Sequence, residues 1–325
     1  MRLGPMGFSA FQRIQAIPLF TTKSSHRPEK LILASASLSS LNASKMNATA
    51  ADYWVHNLSP FLLRFPESWP LIGGAGIRYY GLAYILGAVA GYYLLLQYYR
   101  KGRSPFNSDQ LSVLILALMA GVLIGGRVGY VLFYGLQDFF HNPLSIFAVW
   151  QGGMASHGGF IGVAIAVILF SKKHKNPTLA TGDLVVSAAV PGLFLGRLAN
   201  FINGELWGRI TEVPWAVIFP HGGWVPRHPS QLYEAFLEGL ILFAFLQWRL
   251  WKSSILKRHP GRLSGEFLVG YSVFRFVCEF FREPDASLIA GLSRGQFYSL
   301  FTLLIGVCLI GFAIKSSEKV ASIKA

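Results

Sequence analysis

The sequence is poor in charged residues and in cysteine. Charged residues make up 14% of the 325 residues, and hydrophobic residues make up 53%. A soluble domain normally carries about 25% charged residues. Polytopic membrane proteins confine charges to loops and functional sites, so this deficit predicts a membrane protein. The two cysteines, Cys278 and Cys308, each lie inside an apolar run. Their number excludes a disulfide framework, and we expect both to be small buried hydrophobes.

Metal-ligand spacing is also absent. His221 and His228 lie in a loop without acidic or cysteine partners at metal spacing, so we expect neither a metal nor a cofactor. The formal net charge of +14 could indicate nucleic-acid binding. However, the lysines and arginines lie in short clusters between apolar runs rather than along one face. We therefore expect no nucleic-acid partner.

Seven apolar runs are long enough to cross a bilayer, for which about 20 residues are needed. The predicted spans are residues 77–99, 110–134, 155–171, 183–202, 231–251, 263–281 and 295–314. The third span is short, and residues 143–154 before it have the composition of a re-entrant or interfacial segment. The pattern thus predicts an all-α polytopic membrane protein with seven transmembrane helices.

The basic residues between the spans predict the orientation. One side carries Arg100, Lys101, Arg103, Lys172, Lys173, Lys175, Lys252, Lys257, Arg258, Arg262, Lys315, Lys319 and Lys324. The other side carries Arg209, Arg227, Arg282 and Arg294 between spans, and Arg64 and Arg78 lie before the first span. Because cytoplasmic loops carry the excess of lysine and arginine, the C-terminus is predicted to be cytoplasmic and the N-terminus outside.

Residues 1–45 differ from the rest of the chain. They hold six basic residues and one acid, Glu29, among many serines and alanines. Six basic residues on an outside tail oppose the positive-inside bias. We interpret this stretch as an unstructured leader or a misassigned start, with the true start at Met46. Residues 46–315 are then the seven-span domain, with an outer loop at about 203–230, and residues 316–325 form a cytoplasmic tail.

Ionisable residues inside the spans are candidates for function, because a charge at a helix centre costs about 2.5–3.5 kcal/mol on insertion scales. The residues that we single out are Arg127, Arg197, Arg275 and Glu279, with His157 and Glu205 at span ends. In the predicted orientation all of them fall in the outer half of the membrane, as does Tyr80. Several independent segments therefore converge at one depth, which predicts a site facing the outer leaflet.

The chemistry of these side chains favours a phospholipid headgroup. Arginine keeps its charge, and its planar guanidinium suits phosphate. Glu279 follows Arg275 by four residues, on the same helix face, and can hold that guanidinium in position. Asn200 follows Arg197 by three residues and can orient it or bind a hydroxyl. His157 can accept a proton from a thiol or can merely order the site, and the sequence leaves both roles open.

Residues 196–209, GRLANFINGELWGR, resemble the signature of the prolipoprotein diacylglyceryl transferases. The other segments that resemble this family, in order, are IRYYGLAY (77–84), SHGGF (156–160), HPSQLYEA (228–235), GYSVFRFVCEFFREPD (270–285) and GQF (295–297). The resemblance covers about residues 70–315. The family pattern usually has glycine where Ala199 and Ser272 stand. Both changes exchange one small residue for another, so we expect activity to be retained.

The resemblance implies an enzyme of the bacterial plasma membrane that transfers the diacylglyceryl group of phosphatidylglycerol to the lipobox cysteine thiol of prolipoproteins. The reaction forms a thioether and releases glycerol phosphate, as the first step of bacterial lipoprotein maturation. The implied partners are phosphatidylglycerol, prolipoproteins and membrane lipids. Arg197, Arg275 and His157 are the expected catalytic residues. The expected lipid-binding residues are Arg197, Asn200, Tyr80, Glu205, Glu279, Arg127 and Tyr233.

Two other classes of membrane protein fit the sequence less well. A transporter needs sites accessible from both faces, whereas by our count the inner halves of the spans carry almost no charges. An intramembrane hydrolase needs a nucleophile such as a G-x-S-x-G serine or paired aspartates, and neither occurs in the predicted spans.

Overall fold

The computed structural model describes residues 53–69, 74–147, 152–284 and 286–324. The predicted leader, residues 1–45, lies outside these described residues. The described helices are α1 (Tyr79–Arg100), α2 (Ser108–Phe133), α3 (Leu136–His141), α4 (Ser156–His174), α5 (Thr178–Ile202), α6 (Ser230–Glu234), α7 (Leu242–Lys252), α8 (Ile255–Arg258), α9 (Arg262–Cys278) and α10 (Arg294–Lys324). A π-helical segment, Ala235–Ile241, joins α6 to α7 without a break.

Every predicted span coincides with a helix, and four of these helices are long and apolar enough to cross a membrane. They are Tyr79–Arg100, Ser108–Phe133, Thr178–Ile202 and Arg294–Ser317. The helix at the third predicted span has polar ends, with His157 near its start and Lys172, Lys173 and His174 at its end. The fifth predicted span is divided among α6, the π-helical segment and α7, and α9 at the sixth predicted span has only 17 residues. A largely helical membrane protein is therefore confirmed, while seven crossings and the orientation of the termini stay predictions.

The segments outside the helices also form two small sheets, which were not predicted from the sequence. Strand β1 (Trp54–Val55) pairs in parallel with β4 (Val217–Ile218), which pairs in antiparallel fashion with β5 (Pro226–Arg227). Strands β2 (Phe61–Arg64) and β3 (Gly76–Arg78) form an antiparallel pair. Strands of two to four residues are too short to show the alternating pattern by which a strand is recognised from sequence.

Helices α2 and α4 approach each other through facing glycines. A Cβ atom at Gly125 would overlap the carbonyl oxygen of Gly158, and one at Gly162 would overlap that of Gly121. Small residues at such contacts let two helix backbones come close, which is a common packing mode in membranes. The SHGGF segment thus contributes a tight helix contact directly after His157.

The hydrophobic core lies at one end of the helices. It is built from the C-terminal parts of α1 and α7 and the N-terminal parts of α2, α5 and α9, including Leu95, Leu111, Leu184, Leu246 and Leu263. This alternation of helix ends is the one expected for consecutive helices that run up and down. Polar side chains lie at the opposite ends of α5 and α9 and near the start of α10.

Candidate active site

Three arginines and three glutamates meet at the end of the helices opposite the hydrophobic core. We call this group the arginine–glutamate cluster; its members are Arg197, Glu234, Glu238, Arg275, Glu279 and Arg282. They come from α5, from the π-containing helix 230–252, and from the C-terminal end of α9. The cluster therefore contains equal numbers of positively and negatively charged side chains.

Glu234 is the centre of the cluster and is fully buried. Its Oε2 atom lies 2.9 Å from Nη1 of Arg197. Its Oε1 atom lies 2.6 Å from Nη1 of Arg275 and 3.1 Å from Nη1 of Arg282. One carboxylate therefore touches all three guanidinium groups. Removing a partner from such a buried group leaves an uncompensated charge, which is strongly destabilising.

Glu238 is also fully buried, but it has fewer cationic contacts. Its Oε2 atom accepts from Nη2 of Arg197 at 2.9 Å and from Nε at 3.3 Å. Its Oε1 atom lies 3.8 Å from Nη1 of Arg275, and within the described part of the chain it has no hydrogen-bond partner. Glu238 lies in the π-helical segment, and such segments occur frequently at functional sites.

Glu279 contacts Arg275 as the sequence predicted. Its Oε1 atom pairs with Nη2 of Arg275 and lies 3.8 Å from Nε of Arg282. Its Oε2 atom accepts a hydrogen bond of 2.5 Å from the hydroxyl of Ser293, just before α10. A Cβ atom at Gly295 would overlap the Glu279 carboxylate, so this glycine lets α10 approach the cluster. Gly295 is the first residue of the GQF segment, which therefore packs against the cluster.

The accessible face of the cluster is cationic. The side chains of Arg197 and Arg275 are 18% and 15% exposed, whereas those of Glu234 and Glu238 are fully buried. The carboxylates therefore lie behind the guanidinium groups and hold them in place. Cationic donors in a site of low dielectric interact strongly with an anion.

Tyr80, Asn200 and Glu205 form a second polar group beside the first. The Asn200 amide donates to Oε1 of Glu205 at 2.9 Å and to the hydroxyl of Tyr80. The Gln231 amide donates to the main-chain oxygen of Glu205 at 2.6 Å, which ties this group to the start of α6. The side-chain bonds of Asn200 thus go to Tyr80 and Glu205 rather than to Arg197. Its expected orienting of Arg197 is therefore not seen, although both residues lie on α5.

His157 lies at the start of α4 with an exposed side chain. Its ring packs edge-on against the ring of Tyr298 on α10, with centroids 5.3 Å apart. No hydrogen bond to its imidazole occurs among the residues that the structure describes. The ring is therefore available to a substrate. It lies next to α10, which begins one residue after Ser293.

Arg127 contacts the main chain of a neighbouring segment, and its expected role in lipid binding stays a prediction. Its guanidinium donates to main-chain oxygens of Ile146, Gly152 and Gly153 at 2.9, 2.5 and 3.1 Å, and also to that of Ser145. These four carbonyl groups belong to the segment between α3 and α4. Arg127 therefore clamps this segment, and its donors are already engaged. This geometry favours a structural role over lipid binding.

Tyr233 lines an apolar cavity of about 500 Å³ beside the cluster. Its hydroxyl accepts from Nε1 of Trp215 at 2.7 Å and lies 3.1 Å from Nδ1 of His228. Burial lowers the pKa of His228, which favours the neutral ring. Cys278 also lines this cavity and is buried as expected. Cys308, by contrast, is exposed, so the expectation that both cysteines are buried was half wrong.

Sequence reasoning missed three members of the cluster. Glu234 and Glu238 lie inside the predicted fifth span, and the rule applied to Arg197 would have selected them. Arg282 was counted as a loop residue because it follows the sixth span. In the structure, a β-bridge to Gly208 fixes its main chain beside the cluster.

The count of charges in the inner halves of the spans was also wrong. Asp183 is fully buried near the start of α5 and accepts three hydrogen bonds of 2.7 Å, from the amides of Gly261 and Ser264 and from the Ser264 hydroxyl. Arg249 forms a two-pronged pair with Glu266 at 2.8 and 2.7 Å. Asp183 caps the start of α9, and Arg249 holds α7 against α9. Their partners lie within the protein, which favours a structural role.

Comparison with known proteins gives a family model and several curated relatives that match the chain. The family model described as prolipoprotein diacylglyceryl transferase matches residues 66–312. Three curated relatives are named phosphatidylglycerol–prolipoprotein diacylglyceryl transferase. The protein of Rhodospirillum rubrum is 48% identical over 255 residues, covering 76% of this chain and 93% of its own. That of Pasteurella multocida is 46% identical over 264 residues (78% and 96%), and that of Pseudoalteromonas translucida is 44% identical over 268 residues (81% and 99%).

Proposed function

We propose that this chain, which belongs to the prolipoprotein diacylglyceryl transferase family, transfers the diacylglyceryl group of phosphatidylglycerol to the lipobox cysteine of prolipoproteins. The curated relatives carry this activity in their names. The single structural observation that supports it best is the buried arginine–glutamate cluster with its cationic accessible face. Such a face suits the phosphate of an anionic lipid that enters from the bilayer.

The reaction exchanges a carbon–oxygen bond for a carbon–sulfur bond. The sulfur of the lipobox cysteine attacks the glyceryl carbon that carries the phosphate. The carbon–oxygen bond breaks, and its electron pair stays on the phosphate oxygen. The products are a thioether-linked diacylglyceryl peptide and glycerol phosphate. Negative charge grows on the phosphate during this step, so cations at that position lower the barrier.

Arg197 and Arg275 supply these cations in our proposal. Both guanidinium groups are fixed by Glu234 and keep a partly exposed edge. Glu279 positions Arg275, and Ser293 in turn positions Glu279. Tyr80, Asn200 and Glu205 provide hydroxyl, amide and carboxylate groups that suit the glycerol hydroxyls of the headgroup. The apolar cavity beside Tyr233 offers space for an apolar part of either substrate.

His157 is the proposed acceptor of the thiol proton. Its imidazole is exposed and has no competing hydrogen bond from the described residues. An imidazole nitrogen within reach of a thiol can accept its proton. The thiol proton passes to the imidazole of His157 as sulfur attacks the glyceryl carbon, and glycerol phosphate leaves with the electron pair of the broken carbon–oxygen bond.

We place the enzyme in the bacterial plasma membrane as a seven-span protein, with its site toward the outer leaflet. The support is the distribution of lysine and arginine between the helices, which favours a cytoplasmic C-terminus. In that orientation the arginine–glutamate cluster lies on the outer side and the hydrophobic core on the cytoplasmic side. Accessibility of single cysteines placed in the 203–230 loop, measured with a membrane-impermeant thiol reagent on intact cells, tests this orientation.

The activity is tested by incubating the purified protein with phosphatidylglycerol and a lipobox peptide. A mass gain on the cysteine equal to one diacylglyceryl group is expected. A peptide with serine in place of the cysteine, and a reaction without phosphatidylglycerol, should show no gain. Unchanged peptide in the complete reaction, with protein that is folded and monodisperse, would refute the proposal.

A further inference from the structure

The arginine–glutamate cluster is electrically balanced before any substrate binds. Three guanidinium groups stand against three carboxylates, and their side chains are between 0% and 18% exposed. In a buried site of low dielectric, a net charge is expensive, whereas a balanced set of ion pairs is tolerated. A phosphodiester brings one further negative charge. The complete complex therefore has one negative charge in excess unless a proton enters.

The contacts of the three carboxylates show which one can accept this proton at least cost. Glu234 lies within 3.1 Å of three arginines. Glu279 contacts Arg275 and also accepts from the Ser293 hydroxyl. Glu238 depends on Arg197 alone for close contacts. Its Oε1 atom and Oε2 of Glu234 both lack a hydrogen-bond partner among the described residues, but Oε2 of Glu234 lies 2.9 Å from a guanidinium nitrogen, whereas the cation nearest to Oε1 of Glu238 is 3.8 Å away. An added proton therefore displaces the weaker cationic contact when it binds to Oε1 of Glu238.

The phosphate and Glu238 also compete for the same donors. Glu238 holds Nε and Nη2 of Arg197 through its Oε2 atom, while Nη1 faces Glu234. A phosphate that takes the two-pronged edge of Arg197 must displace Glu238 from it. The cation nearest to the buried Glu238 carboxylate is then Arg275, whose Nη1 atom lies 3.8 Å from Oε1. A buried group in that position neutralises instead of staying charged.

We propose that Glu238 takes up one proton when an anionic phosphodiester lipid binds to Arg197 and Arg275. Lipid binding is thereby coupled to proton uptake, and Glu238 serves as an exchangeable counter-ion for the site. The charged and titratable groups that face or interact electrostatically with Glu238 are Arg197 on α5, Glu234 on its own helix, and Tyr271, Arg275 and Cys278 on α9. This inference rests on the proposed function, because it takes the phosphate position from it.

The thermodynamic linkage between proton binding and lipid binding gives the expected change in lipid affinity with pH. Where Glu238 is ionised in the free protein and protonated in the complex, the affinity for the lipid falls tenfold for each unit rise in pH. Replacing Glu238 by glutamine removes both the competing charge and the proton. Glu238→Gln should therefore abolish this pH dependence, and at high pH it should bind the lipid at least as tightly as the wild type.

Two matched variants distinguish the proposed role of Glu238 from the effect of removing any carboxylate. Glu279→Gln removes a carboxylate that positions Arg275 rather than competing with the lipid, so it should weaken lipid binding. Glu266→Gln removes a carboxylate from the ion pair at the other end of the helices. It should bind lipid and take up the proton as the wild type does.

The experiment is isothermal titration calorimetry of the full chain in detergent micelles with short-chain phosphatidylglycerol, without peptide. Repeating it in buffers of different ionisation enthalpy gives the number of protons taken up. Close to one proton is expected for the wild type and for Glu266→Gln, and none for Glu238→Gln. Wild-type binding without proton uptake, or weaker binding by Glu238→Gln than by wild type at every pH, would overturn the proposal.

The number of protons taken up by the wild-type protein can be measured even if a variant fails to fold. The transfer assay with the lipobox peptide separates the two possible failures. Protein that modifies the peptide but takes up no proton on lipid binding refutes only the coupling. Protein that neither modifies the peptide nor binds phosphatidylglycerol refutes the proposed function itself.

Discussion

Replacing Arg197 by lysine tests whether the site needs a two-pronged contact or only a positive charge. The guanidinium of Arg197 uses three nitrogens at once, at 2.9 and 3.3 Å from Glu238 and at 2.9 Å from Glu234. A lysine ammonium is a single point charge and cannot span these positions while also meeting a phosphate. We expect the loss of at least one charge-assisted hydrogen bond in the transition state.

Such a bond contributes about 1.5–3 kcal/mol. The loss therefore corresponds to a fall in kcat/KM of about 10- to 150-fold, since about 1.4 kcal/mol is a factor of ten. The assay is the initial rate of diacylglyceryl addition to a lipobox peptide, followed by mass spectrometry at limiting phosphatidylglycerol. Expression and monodispersity of the variant should equal those of the wild type.

The matched control is Arg249→Lys. Arg249 forms an equally close two-pronged pair with Glu266, but at the opposite end of the helices. This variant should keep near wild-type activity, because it lies far along the helices from the cluster. Near wild-type turnover in Arg197→Lys would show that Arg197 is structural and would refute the reasoning.

The remaining predictions concern the contacts of the cluster and the N-terminal segment. Arg275→Ala should abolish transfer, Glu279→Ala should lower lipid affinity and folding yield, and Glu279→Gln should be milder since its amide oxygen still accepts from the guanidinium. Affinity losses of Arg275→Ala and Glu279→Ala that add fully in the double mutant would show that the residues act separately. Gly295→Ala should cost about 1–3 kcal/mol of stability through overlap with Glu279. In thermal unfolding Gly311→Ala, on the same helix in open space, should be neutral or stabilising; equal effects would contradict this account. Chains beginning at Met46 should complement a transferase-deficient strain as well as the full chain, and failed insertion would argue against a dispensable leader.

The sequence predicted those parts of the site that depend on local spacing. Arg275 and Glu279 are four residues apart on one helix, so their contact follows from helix geometry alone. The spans were found because hydropathy is a property of a continuous segment. Both inferences need no knowledge of how the helices pack.

Contacts of the site that depend on how the helices pack could not be predicted from the spacing of residues in the sequence. Arg197 and Glu234 are separated by the whole outer loop, and only the packing of α5 against the helix 230–252 brings them within 2.9 Å. The carbonyl oxygens that occupy Arg127 belong to an irregular segment with no sequence signature. The presence of an arginine in a predicted span therefore does not by itself show whether its side chain binds a lipid or holds a neighbouring segment of the protein.

The central claim is that sulfur displaces phosphate at the glyceryl carbon of phosphatidylglycerol. The most direct measurement uses phosphatidylglycerol that carries deuterium on the glyceryl backbone of the diacylglyceryl group. With the purified chain and a lipobox peptide, we predict a thioether-linked peptide that retains the deuterated backbone, together with unlabelled glycerol phosphate. A peptide that gains only an acyl chain, or that carries no deuterium, would contradict the account.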